Sequence, residues 1–171
     1  MEVKFDVKKI LVPVDFSDPS RKAFYVALKM ATLFGAETYV LHIQEPIRGL
    51  DKGEEMEKRL QEATRLEEGV RRRVNELFEE GGLSEVDRRK VHVVIGTGKP
   101  YLEIVRYAYH NEVDLIVMGS HGYSGVKQMF FGSQTEKVMR LAPCAVLIVK
   151  PDDIEMDSDI IDVPRKFDLD V

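Results

Sequence analysis

Asp114-Leu-Ile-Val-Met-Gly-Ser-His-Gly122 is the stretch on which the fold turns. Leu115 to Met118 is a short, unbroken apolar run, too short for a core helix. It does not alternate with polar residues, as a strand covered on both faces would not. Four more short, mainly apolar runs stand along the chain: Ile10-Leu-Val-Pro-Val14, Thr38-Tyr-Val-Leu-His-Ile43, Val91 to Ile95 and Ala145 to Val149. Amphipathic stretches separate them, which argues for βαβ units and a mainly parallel sheet.

The intervening helices carry their own signals. Ser17-Asp-Pro-Ser20 supplies N-cap candidates and a proline suited to a first turn. Phe24, Ala27, Leu28, Ala31 and Phe34 follow at helical spacing, and Gly35 is a stop. Pro46 to Gly53 reads as a loop. A long charged helix then places Met56, Leu60, Ala63, Val70, Val74 and Leu77 on one face, ending at Gly81-Gly82. Tyr101 to Asn111 is the next helix, and a last one starts near Ser133. No internal repeat or low-complexity segment interrupts the pattern.

Length and composition bound the function. A chain of 171 residues, 44% apolar and 32% charged, suits one domain with a real core. The net charge is −5, but residues 151–171 hold eight acidic and two basic side chains and carry −6. Residues 1–150 therefore sum to +1. The body is close to neutral and has no basic footprint for nucleic acid. No apolar run approaches the ~20 residues of a membrane span, and Met1 to Asp6 offers no secretory h-region. Cys144 is the one cysteine, which excludes an internal disulfide and a multi-cysteine metal site. The expected location is cytoplasmic. The expected division is a domain over 1–150 and an acidic extension over 151–171, which either pairs as an edge strand or stays disordered.

Gly119 to Glu136 carries the chemistry. It leaves the C-terminal end of a buried strand and finishes at a helix start, where open α/β sheets receive phosphates on free backbone N–H groups and a positive helix end. Gly119, Gly122 and Gly132 would let the backbone approach a ligand closely or take positive φ. Ser133 and Thr135 add hydroxyls at the helix start. The same residues have a plainer reading: Ser133-Gln-Thr-Glu136 is a capping box that needs no ligand, and glycines after a strand are commonly turns.

The spacing Gly119-x2-Gly122-x9-Gly132-Ser133 resembles the G-x2-G-x9-G-[S/T] nucleotide-binding signature of the universal stress proteins. With glycine near ~7% of residues, a chance match in such a chain is on the order of one per cent. Lys8 to Ser17, Val40 to Ile43, Asp114 to Gly122 and Pro143 to Lys150 are similar to that family's strands, so the resemblance covers about residues 6–150.

The resemblance implies an open five-stranded parallel sheet of order 3-2-1-4-5 with helices on both faces, a Rossmann-like, adenine-nucleotide α-hydrolase-like fold. Strands 1 and 4 would adjoin at the switch point, with Asp15 facing Gly119 across the crevice. It further implies an ATP-binding protein, with AMP or ADP as other occupants. Pro13, Val14, Asp15 and Ile43 would hold the adenosine, and Met118 and Gly119 would lie by the ribose. His121, Gly122, Gly132, Ser133, Gln134 and Thr135 would wrap the phosphates, with Mg²⁺ riding on them. A homodimer through strand 145–149 is implied as well.

Other patterns point elsewhere and fail. Gly96-Thr-Gly-Lys-Pro100 looks like a P-loop but lacks the G-x4-GK-[ST] spacing, and Pro100 removes a donor; it reads as a turn with proline near N1. His42, His92, His110 and His121 have no zinc-ligand spacing. Cys144 reads as a small core residue, with redox pairing between chains as the alternative. The loop after strand 1 reads Val14-Asp-Phe-Ser-Asp18, without the S-G-G-x-D-S of ATP-activating ligases, and H-x-G-H is absent. No arginine finger or Walker B pattern is present, so hydrolysis is expected to be slow at most. The expected function is therefore a nucleotide-binding stress-response switch, with a nucleotide-independent dimeric adaptor as the alternative.

Overall fold

A computed structural model describes residues 6–44, 56–84, 88–120 and 132–150. Among these described residues nine elements alternate: β1 (Lys9–Pro13), α1 (Asp18–Phe34), β2 (Glu37–Gln44), α2 (Met56–Glu80), β3 (Val91–Thr97), α3 (Pro100–His110), β4 (Leu115–Gly119), α4 (Ser133–Leu141) and β5 (Ala145–Val149). The strands form one parallel sheet in the order β3-β2-β1-β4-β5, as expected.

β1 sits at the centre, and its three middle residues show why the run does not alternate. Ile10, Leu11 and Val12 are each fully buried. Ile10 and Val12 pack on the face covered by α1 and α2, with Phe24, Ala27, Val74 and Leu77. Leu11 packs on the opposite face, with Ile104, Ala108 and Val138 from α3 and α4. A strand buried on both sides needs apolar residues at every position.

Helix ends follow local chemistry. α1 begins after Ser17, whose backbone is extended, and has proline in its first turn. The Ser17 hydroxyl does not cap the helix but donates to the Asp15 carboxylate at 2.5 Å. α1 ends at Gly35, whose φ of 70° is costly for a side chain with a Cβ, with its N–H bonded to Ala31 O. α3 starts at Pro100, at the helix start where the sequence puts it.

Two features differ from the sequence reading. β3 runs two residues beyond Ile95, because Gly96 and Thr97 pair with Ile43 and Gln44 of β2. The apolar stripe of α2 reaches the core from Val70 onward, while Ala63 is exposed and Leu66 is 40% exposed, among the described residues. A helix of 25 residues is longer than the sheet it covers. The loop at 46–53, most of the Gly119–Gly132 loop and the extension over 151–171 lie outside the described residues. Among the described residues, no helix is long and apolar enough to cross a membrane.

Candidate functional site

The strand order reverses direction between β1 and β4, so the connections after these strands diverge and leave a crevice at their C-terminal ends. The crevice holds about 200 Å³. Its lining brings together Pro13, Val14, Asp15, Ile43, Met118 and Gly119 from the strand ends. It also includes Gly132, Ser133, Gln134 and Thr135 at the start of α4. Ten of the twelve residues singled out in the sequence thus share one cavity. His121 and Gly122 lie outside the described residues.

The turn after β1 is held from several sides. Val14 N–H donates to Leu41 O at 2.9 Å, and His42 Nδ1 lies 2.7 Å from Val14 O, so that nitrogen carries the proton. Asp15 Oδ1 accepts from Ser17 N–H at 3.0 Å and from the Ser17 hydroxyl. Phe16, at φ 64°, occupies the left-handed region, an outlier for a bulky residue. Its ring is buried between His42, 5.1 Å away centroid to centroid, and the Arg73 guanidinium from α2, 4.3 Å over the ring. Stacking of this kind stabilises by roughly 0.5–2 kcal/mol, of the order needed to hold one strained residue. His42 and Phe16 are therefore positioning groups, which sequence patterning did not single out.

The other wall closes where Ser120 meets Gly132. Gly132 N–H donates to Ser120 O at 2.8 Å, and Ser120 N–H donates to Val149 O at 3.0 Å. The Thr135 hydroxyl, buried at 2% exposure, donates to Gly119 O at 3.1 Å. Its proton is thus engaged with the chain, while Thr135 itself lines the crevice. Gln134 Oε1 accepts from Tyr101 N–H at 3.1 Å and so caps the start of α3. The capping box does not form: the N-cap position is Gly132, and no side chain caps α4. Ser133 is exposed at the crevice edge.

Gly119 also has a structural duty that the motif concealed. A Cβ placed there would stand 2.8 Å from the Pro19 carbonyl carbon and 2.9 Å from Pro19 Cβ. The glycine lets the first turn of α1 pack onto the end of β4. Ser20, Leu41, Pro100 and Ile104 complete the lining and were not anticipated. Pro100 was set aside as a turn residue. Leu41 and Ile104 are apolar residues of periodic elements, indistinguishable in sequence from core.

The resulting cavity has an apolar end of Pro13, Val14, Leu41, Ile43, Ile104 and Met118. Its polar end is the first turn of α4. Asp15 is the one ionisable residue in the described lining, which holds no lysine or arginine. An anion there would rest on backbone N–H groups and the α4 dipole. No cluster of three His, Cys, Asp or Glu that could hold a metal ion occurs among the described residues.

The universal stress protein family model matches residues 6–150. Universal stress protein MJ0531 of Methanocaldococcus jannaschii is 36% identical over 147 residues, covering 84% of this chain and 82% of that protein. The solved structure of MJ0577, from the same organism, matches with a TM-score of 0.70 at 32% identity, covering 87% of this chain and 99% of its own. A universal stress protein solved in complex with cAMP shares the fold, with a TM-score of 0.58 at 22% identity over 83% of this chain and 95% of its own.

Proposed function

Because this chain belongs to the universal stress protein family, we propose that its crevice is an adenine-nucleotide site and that the protein acts as a nucleotide-controlled stress-response switch. The observation that carries this reading is the pairing of an apolar slot with an uncapped helix start at the switch point of the sheet. A purine fits the first and a phosphate chain the second. One neighbour of the same fold holds an adenine nucleotide, cAMP.

In this reading Val14 and Ile43 flank the adenine, and the Pro13–Asp15 turn fixes the adenosine. Met118 and Gly119 lie by the ribose. Gly132, Ser133 and Gln134 face the phosphates, with His121 and Gly122 assigned there by the family resemblance. Thr135 holds the wall behind them. ATP is the favoured occupant, with ADP and AMP as alternatives. Mg²⁺ would be carried by the nucleotide's phosphates and would need few protein ligands, with Asp15 the one carboxylate in the described lining. With no arginine or lysine in the described lining to stabilise transferring charge, hydrolysis should fall well below the ~1–100 per second of an ordinary kinase.

β5 forms one edge of the sheet, and its middle residues Val146, Leu147 and Ile148 are only partly buried. Two copies paired along Ala145–Val149 would cover that edge. Light scattering on the full chain and on a chain truncated after Lys150 tests the assembly and the part of the extension in it.

Mass spectrometry of acid-extracted ligand from gently purified protein tests the nucleotide reading. Co-purifying adenine nucleotide, lost in Gly132→Val, is the expected result. Folded protein that carries none and takes up none would leave the adaptor reading in its place.

A further inference from the structure

The crevice is not the largest hollow in the described structure. A second one, of about 240 Å³, lies at the opposite end of the sheet, where β2 and β3 begin. Its walls are Leu28 and Ala31 of α1, Ala36, Leu83 after α2, and Val91 of β3. Thr38 of β2 is in its lining at 0% exposure, on the α1 and α2 face with Val40.

The Thr38 hydroxyl is a buried side-chain polar atom without a hydrogen-bond partner, and no other described residue has one. The neighbouring hydroxyls are satisfied: Tyr25 donates to Leu77 O at 3.0 Å and Thr32 to Leu28 O at 3.1 Å. A buried hydroxyl left alone is costly and rare. Lys29 and Lys90, both exposed, belong to the same lining, and neither is ion-paired among the described residues. No carboxylate lines the hollow, and the nearby acids are engaged elsewhere: Glu79 with Arg88, Glu80 with Arg21, Glu37 with Tyr39.

We propose that this hollow is a second ligand site, for a small monocarboxylate with an apolar body. The apolar part would lie against Leu28, Ala31, Leu83 and Val91. The carboxylate would meet Lys29 and Lys90, and Thr38 would gain the partner it lacks. The charge pattern is opposite to that of the crevice, which has one acid and no cation in its described lining. The space is below the ~300 Å³ at which pockets for drug-sized molecules begin, so the ligand is a short-chain acid.

Titration of the full chain with hexanoate, followed by amide NMR, tests this, with hexanol and hexylammonium as controls. Saturable shifts at Thr38, Leu83, Lys90 and Val91, with a Kd of the order of 1 mM, are expected for so few atoms. Hexanol should bind roughly tenfold more weakly and hexylammonium weaker still, and Lys29→Ala with Lys90→Ala should reproduce the hexanol value. Thr38→Val should weaken hexanoate by about fivefold while leaving the ligand-free Tm unchanged or raising it. No shift at these residues, equal response to hexylammonium, or a Tm lowered by Thr38→Val would overturn the proposal. The last would mean that the hydroxyl is already satisfied.

Discussion

Thr135 Oγ1 donates to the Gly119 carbonyl oxygen, buried, across 3.1 Å. One bond thus fastens the first turn of α4 to the last residue of β4, sixteen positions earlier. Replacing Thr135 by valine keeps the shape and leaves the buried carbonyl short of that donor. We expect a loss of about 1–2 kcal/mol in chemical denaturation, with Thr135→Ser close to the parent protein.

Gly119 faces Pro19 closely enough that any Cβ must displace backbone. Gly119→Ala should therefore destabilise by roughly 1–3 kcal/mol even without nucleotide. A glycine needed only for ligand approach would lose affinity and keep its stability. Parallel denaturation and binding measurements separate the two.

Gly69 lies within α2, and a Cβ there would meet nothing within 4 Å. Gly69→Ala should stabilise the protein by about 0.5–1 kcal/mol through helix propensity alone. Nucleotide affinity should not change. A lower Tm would show that this part of α2 packs against something its described surroundings lack.

Burial raises the Cys144 thiol above its ordinary range, and the charge of Asp114 adds to this, partly offset by a backbone hydrogen bond from Ile116. The folded chain keeps the proton at a pH where the unfolded chain has lost it. Thiolate is therefore scarce at neutral pH, and any stability tied to this proton is lost as pH rises through the folded pKa. Iodoacetamide labelling of native protein should be slow at pH 7 and should rise only at a pH above that at which the unfolded chain is labelled. Fast labelling at pH 7 would restore the redox reading of this cysteine.

The sheet was legible because its central strands had to be buried on both faces, as Ile10, Leu11 and Val12 demonstrate, and the edge strands β3 and β5, only partly buried, carry the same short apolar signature. The strand order was not, since periodicity does not encode which strands adjoin; the resemblance supplied it. In the crevice, the glycine spacing and the residue after each strand marked the polar end. Leu41 and Ile104 were hidden, because a wall residue and a core residue have the same apolar signature. Phe16 was hidden for another reason: nothing in its type announces a left-handed backbone, and the Arg73 and His42 contacts that hold it come from distant elements. The capping box was a false lead, because Gly132 rather than Ser133 occupies the N-cap position and Thr135 turns inward to Gly119.

Calorimetric titration of the full chain with Mg-ATP, alongside Mg-GTP and AMP, bears most directly on the central claim. We expect one site per chain, micromolar Mg-ATP affinity, much weaker GTP, and loss of binding in Gly132→Val. Absence of heat with any adenine nucleotide, in protein shown to be folded, would contradict the account and reduce the crevice to a feature of the fold.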